Sequence, residues 1–122
     1  MRIVDANIVL RYLLNDVEDL SIIASDLLEN KDILLKNEVI VEIVYVLEKV
    51  YKVERHEIKN ALLEIMKYNN LKVDDLEVLK EALMIYADRN LSFVDTILYA
   101  YHSVRKYEVY TFDKKLNDLI KA

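Results

Sequence analysis

Four carboxylic acids stand out because each follows or interrupts an apolar stretch. Asp5 comes after Arg2-Ile3-Val4 and Glu42 lies inside Val39-Ile40-Val41-Glu42-Ile43-Val44. Asp95 closes Ser92-Phe93-Val94-Asp95, and Asp113 comes after Val109-Tyr110-Thr111-Phe112. Carboxylates brought together repel and raise one another's pKa unless cations intervene. Oxygen-only ligands, with no His or Cys, suit Mg²⁺ or Mn²⁺. A site of that kind activates water and neutralises the leaving oxygen in phosphodiester cleavage. Each acid also has a purely structural reading. Asp5 and Asp113 suit helix N-caps. Glu42 shares a helix face with Glu38, Tyr45 and Lys49, as a solvated stripe would. Ser92 and Asp95 match the capping box, in which the acid bonds backbone N–H groups.

The elements that must position these acids follow from apolar periodicity. Strands are predicted at Arg2-Ile3-Val4, Ile33-Leu34-Leu35, Leu71-Lys72-Val73 and Val109-Tyr110-Thr111-Phe112. A first helix starts at Asn7 and carries Ile8, Val9, Tyr12 and Leu13 on one face. A second covers 19–29, with Leu20, Ile23, Ala24, Leu27 and Leu28 inward. Further helices are expected over 38–51, capped by Asn37, then at about 54–67, 75–88 and 92–106, with a short one after Asp113. Strands that alternate with helices run parallel, joined by right-handed crossovers. The expected fold is α/β, a helix–sheet–helix sandwich around a mostly parallel sheet of four or five strands, with residues 1–122 as one domain. In such a sheet ligands gather at the carboxyl ends of the strands. Asp5, Glu42, Asp95 and Asp113 all belong to that edge, with the strands before Asp5 and Asp113 as potential neighbours.

Composition narrows the chemistry further. With no Cys among 122 residues, disulfides, thiolate catalysis and Cys-based zinc sites are excluded. With no Gly, there is no Gly-rich phosphate loop and no dinucleotide fingerprint. Left-handed helix ends then fall to Asn, and Asn30, Asn69-Asn70 and Asn90 stand where helices should stop. No apolar run approaches the roughly 20 residues of a membrane span, and the N-terminus enters a strand directly, so a cytoplasmic location is expected. The net charge of −5 runs against a nucleic-acid partner. The four acids supply most of that charge, and bound cations would offset it.

Four stretches, in this order, resemble the PIN-domain nucleases and, within them, the VapC-like toxins of toxin–antitoxin pairs. They are Ile3-Val4-Asp5-Ala6-Asn7-Ile8-Val9-Leu10, Asn37–Tyr45, Ser92-Phe93-Val94-Asp95-Thr96-Ile97-Leu98 and Tyr110-Thr111-Phe112-Asp113-Lys114-Lys115-Leu116. The resemblance spans essentially the whole chain. It implies Mg²⁺- or Mn²⁺-dependent cleavage of RNA, with Asp5, Glu42, Asp95 and Asp113 as the acidic quartet. Thr111 matches a position that the family often fills with a hydroxyl residue. A cognate antitoxin and a homodimer are implied by the resemblance alone. Two departures are visible. The chain stops at Ala122 without the further strand common in the family, and the Gly or Pro usual before Asn37 and after Tyr51 is missing.

Other residues have weaker claims. Asn7 suits either a water-steadying role or the start of the first helix. Lys114 and Lys115, beside Asp113, suit a grip on a substrate strand or simple charge pairing. His102, seven residues after Asp95, reads as a groove-lining or surface residue. His56, near Lys52 and Arg55, reads as part of a solvated loop. Tyr12, Tyr45, Tyr86 and Tyr99 fall at core or rim spacing. The face of Leu20, Ile23 and Leu27 reads as core, with a groove for an antitoxin segment as the alternative. Two rival functions remain. One is a catalytically silent PIN-like module that binds a protein partner; the other is a phospho-acceptor or phosphatase using a strand-end aspartate. Ala6 and Asn7 leave the second without its expected neighbouring acid.

Overall fold

Short apolar triplets alternate with amphipathic helices along the chain, and the computed structural model, which describes residues 1–122, follows that alternation. The order is β1 (Arg2–Ile3), α1 (Ala6–Leu14), α2 (Glu18–Asn30), β2 (Ile33–Leu35), α3 (Asn37–Lys49), α4 (Arg55–Ile65), β3 (Leu71–Val73), α5 (Leu76–Asp88), α6 (Phe93–Arg105) and α7 (Lys114–Lys121). The chain divides into two compact units, residues 1–74 and 75–122. No helix is long and apolar enough to cross a membrane.

The first unit holds the whole sheet. β2 lies between β1 and β3, and both pairings are parallel. Ile33 stands opposite Arg2 and Leu71, and Leu35 opposite Val73. A central parallel strand is covered on both faces and is therefore apolar throughout. Ile33 and Leu35 are accordingly fully buried, together with Val9, Leu28, Ile43, Ile58 and Leu62 from the surrounding helices. Of the residues expected inward on α2, Ala24 and Leu28 are buried, but Leu20 and Ile23 are exposed and Ser21 is buried in their place. The reason is close approach. The small side chains of Ser21 and Ala24 let α2 lie against α1, and the Ser21 hydroxyl donates to the Arg11 carbonyl at 3.0 Å. On α1 the buried residues are Ala6, Val9 and Leu10.

Helix ends in this unit are closed largely by distant side chains. The last carbonyls of a helix have no partner within it. Asn70 fills that need for α2, donating from Nδ2 to both the Leu28 and Lys31 carbonyls at 2.7 Å. Asn30 ends α2 as expected, but not in a left-handed conformation: the residue after it, Lys31, is extended. Positive φ angles occur instead at Asn15, Lys52 and Lys106. The start of α3 is capped from afar as well. Asn37 is its first helical residue rather than its N-cap, and its amide donates to Asp74 at 2.9 Å. Burial opposes ionisation of Asp74, but the Lys36 ammonium 2.6 Å away and the Asn37 amide outweigh it and hold its pKa below the ordinary 3.8. Tyr12 donates to Glu29 at 2.8 Å, so the proton in its 2.6 Å contact with Tyr68 must come from Tyr68. Burial, followed by these two hydrogen bonds, pushes the Tyr12 hydroxyl well above its usual pKa.

The second unit consists of α5, α6 and α7. Tyr86, fully buried, meets Phe93 edge to face at 5.5 Å between ring centres, a favoured aromatic arrangement. Asp75 caps α5 by accepting from the Val78 amide. It also takes two hydrogen bonds from Arg105, at 2.8 and 2.9 Å. That fork, against a smaller opposing effect of burial, lowers the Asp75 pKa and raises that of the guanidinium.

The predicted strand at 109–112 is not formed, and the sheet has three strands rather than four or five. After the left-handed turn at Lys106, residues 107–113 belong to no helix or strand. The amides of 108–112 donate to no backbone carbonyl, so the alternating apolar pattern has no ladder to join. Tyr45, expected at the core or rim, is exposed.

Two consequences are measurable. Lys52 sits at φ 58° after Tyr51, in a turn closed by the Val53 amide on the Leu47 carbonyl. A Cβ in this region costs about 1–2 kcal/mol, and glycine's greater freedom in the unfolded chain offsets part of that. Lys52→Gly should therefore stabilise the protein by about 0.5–1 kcal/mol, raising Tm by about 2–6 °C in a thermal melt. Asp75→Asn keeps the capping oxygen and removes the ion pair. It should cost about 1 kcal/mol or less at pH 7, discounted because Arg105 is partly solvated. A carboxylate with a lowered folded pKa stabilises above its ordinary value of 3.8 and loses that contribution as pH falls through the folded value. The gap in Tm between parent and variant should therefore close below pH 3.8.

Candidate functional site

Asp5 stands one residue beyond β1, after Val4, and is the N-cap of α1. Its backbone is extended, and Oδ1 accepts from the Ile8 amide at 3.2 Å. Asp113 caps α7 in the same way, accepting from Leu116 at 2.8 Å, while its own amide donates to the Thr111 hydroxyl at 3.0 Å. The structural reading of these two acids is thus realised, yet it occupies one oxygen of each and leaves the other unbonded. Thr111 orders the turn into the cap. Lys114, the first residue of α7, is exposed and makes no ion pair, as does Lys115.

Asp95 shows only half of a capping box. The Ser92 hydroxyl accepts from the Asp95 amide at 3.2 Å, but the Asp95 carboxylate returns no hydrogen bond. That carboxylate is half-buried in the first turn of α6 and uncommitted. Glu42 lies in the second turn of α3, exposed, with neither hydrogen bond nor ion pair. Asn7 is exposed in the first turn of α1. His102 is held by its own helix end: Nδ1 lies 3.0 Å from the Tyr107 carbonyl, so that nitrogen carries the proton.

The acids are therefore distributed in pairs, Asp5 and Glu42 on the first unit, Asp95 and Asp113 on the second. Within neither unit are three His, Asp or Glu side chains gathered closely enough to hold a metal ion. By donor chemistry the residues suit a hard divalent cation, since all four offer free carboxylate oxygens and none brings nitrogen or sulfur. Other prominent acids are already engaged. Asp74 and Asp75, adjacent at the end of β3, are held by Lys36 and Arg105. Nothing in the local sequence signals those partners, which lie 38 and 30 residues away.

Compared with known families, the chain matches the PIN domain over residues 2–121. The chain belongs to the PIN domain family. PIN domains are generally nucleases that act on nucleic acid and use divalent metal ions. The match runs through both compact units of this PIN domain and includes all four acids. No curated protein and no solved structure matches the chain.

The hydrogen bonding separates the acids in stability experiments. Glu42→Gln and Asp95→Asn break no bond, so each should stay within about 0.5 kcal/mol of the parent by chemical denaturation. Asp113→Ala removes a cap and should cost about 1 kcal/mol.

Proposed function

We propose that this PIN domain is a Mg²⁺- or Mn²⁺-dependent endoribonuclease, one functional domain over residues 1–122, with Asp5, Glu42, Asp95 and Asp113 as its metal-binding acids. The observation that carries the reading is that all four retain an oxygen free of structural bonds, in a chain that matches the family almost end to end. Acids kept only for capping would have no need of a free Asp95 carboxylate or an unpaired Glu42. When bound, the divalent ion supplies an activated water and offsets charge developing on the phosphodiester. The chain's own part is to hold the carboxylates still. Asp5 and Asp113 are fixed by the amides they cap, and Thr111 steadies Asp113 through its amide. Asn7 and Lys114 are assigned to positioning water and substrate phosphate respectively.

The reading extends to a cytoplasmic toxin, homodimeric and partnered by a cognate antitoxin, on family resemblance. A second reading, a catalytically silent module that binds a protein, is favoured by the net charge of −5.

The test compares the parent with Asp5→Asn on structured cellular RNA, in Mn²⁺ or in EDTA. Cleavage by the parent alone, lost in EDTA, supports the nuclease. Absence of both cleavage and Mn²⁺ binding moves the assignment to the silent module.

A further inference from the structure

Beyond the acids, the most unusual surface of the second unit is the segment after α6. Lys106 turns the chain in a left-handed conformation at φ 61°. Tyr107 then stacks on Tyr101 with ring centres 5.8 Å apart and planes 4° from parallel. Further along, Tyr110 and Phe112 are almost fully exposed, at 88% and 109%, and Tyr107 is 58% exposed. Leu98, Tyr101, Tyr107, Val109 and Tyr110 line an open depression of about 660 Å³ together with Glu108. Three rings in water over six residues are costly, since each carries a large apolar surface, so a ligand that covers them is the natural explanation.

The geometry suits bases. The Tyr110 hydroxyl reaches the Glu108 carboxylate two positions back, which puts alternate side chains of the segment on one side, and at strand-like spacing residues two apart stand about 6.6 Å from each other. That is close to twice the 3.4 Å thickness of a base, leaving room for one base between Tyr110 and Phe112. The charges suit a polyanion at the ends of the segment. Lys106 precedes it, with one ammonium hydrogen on the Ser103 carbonyl, and Lys114 and Lys115 follow it just beyond Asp113, one of whose oxygens is held by the Leu116 amide; all three lysines are exposed. Glu108 is the exception within it, and it already accepts from the Tyr110 hydroxyl at 2.8 Å. Phosphates would therefore run along the lysines while bases meet the rings. A duplex buries its base faces in its own stack and cannot use such a strip; single-stranded RNA can.

We propose that Tyr110 and Phe112 form a stacking strip for an unpaired base of single-stranded RNA, with Lys106, Lys114 and Lys115 holding its phosphates. The proposal rests on the nuclease reading for its choice of RNA, but binding is measurable without cleavage. The full chain in EDTA is titrated with a fluorescent oligoadenylate and, separately, with a perfect RNA duplex of equal length. The single strand should bind at least about tenfold tighter, and Tyr110→Ala with Phe112→Ala should weaken it about tenfold or more. Phe112→Tyr should restore most of the loss. Lys106→Ala should lower the salt dependence by about one phosphate contact, which the ring variants should not change. Ring variants that bind as the parent does overturn the proposal, as does equal affinity for duplex. A change of oligomeric state in the ring variants, seen by sedimentation, also overturns it, because the segment is then a protein contact. If neither cleavage nor Mn²⁺ binding is found while these binding differences hold, the nuclease reading fails and the strip stands.

Discussion

Backbone amides at the start of a helix have no carbonyl partners, and in this protein carboxylates satisfy them repeatedly. Asp5, Asp75 and Asp113 cap α1, α5 and α7, and Asp74 reaches α3 from the end of β3. The bond also places negative charge at the positive end of the helix dipole, which favours it further. Much else depends on this constraint. It orients the elements after β1 and β3, and it holds two of the four proposed site acids in place. A capped aspartate is a committed structural residue with one oxygen still unbonded, so the structural and functional readings of Asp5 and Asp113 are compatible. Glu42 and Asp95 lack such a structural bond, which makes them the more informative pair.

Lack of glycine and proline imposes a second constraint. Helices must stop without the residue best suited to a left-handed turn, and the protein uses two substitutes. One is to accept positive φ at residues with a Cβ, at Asn15, Lys52 and Lys106. The other is to bring a polar side chain from elsewhere, as Asn70 does for the last carbonyls of α2. The second solution links the approach to β3 with α2 and so stabilises packing as well as the helix end. At Lys106 the cost of the turn is partly offset locally: its ammonium donates to the Ser103 carbonyl, and the next residue stacks on Tyr101.

Charge is arranged unevenly on a chain that is acidic as a whole. Two short ion pairs, Lys36–Asp74 and Arg105–Asp75, fix helix starts. Lys114 and Lys115 stay unpaired beside Asp113. Net charge alone therefore understates what local regions of this surface offer to a polyanion, because screening at physiological salt limits each charge's reach to about 8 Å.

The sequence by itself determined the seven helices closely, and the strands Ile33–Leu35 and Leu71–Val73 to the residue, because periodicity and apolar runs are local properties. It also marked the four acids and the family to which the chain belongs, through residue types in a fixed order. What only the tertiary structure decided depends on partners distant in sequence. Val109–Phe112 has the alternation of a strand, but a strand exists only where another backbone supplies its hydrogen bonds. Leu20 and Ile23 have helical spacing for burial alongside Ala24 and Leu28, but the smaller Ser21 lets α1 approach more closely, and that approach turned the buried face toward Ser21 and left Leu20 and Ile23 in solvent. Asn30 does stop α2, yet no left-handed residue closes that end; the Leu28 and Lys31 carbonyls are served by Asn70, 40 positions on. Local patterns state what a segment is able to form; which face is buried and which ends are closed are settled by what packs against it.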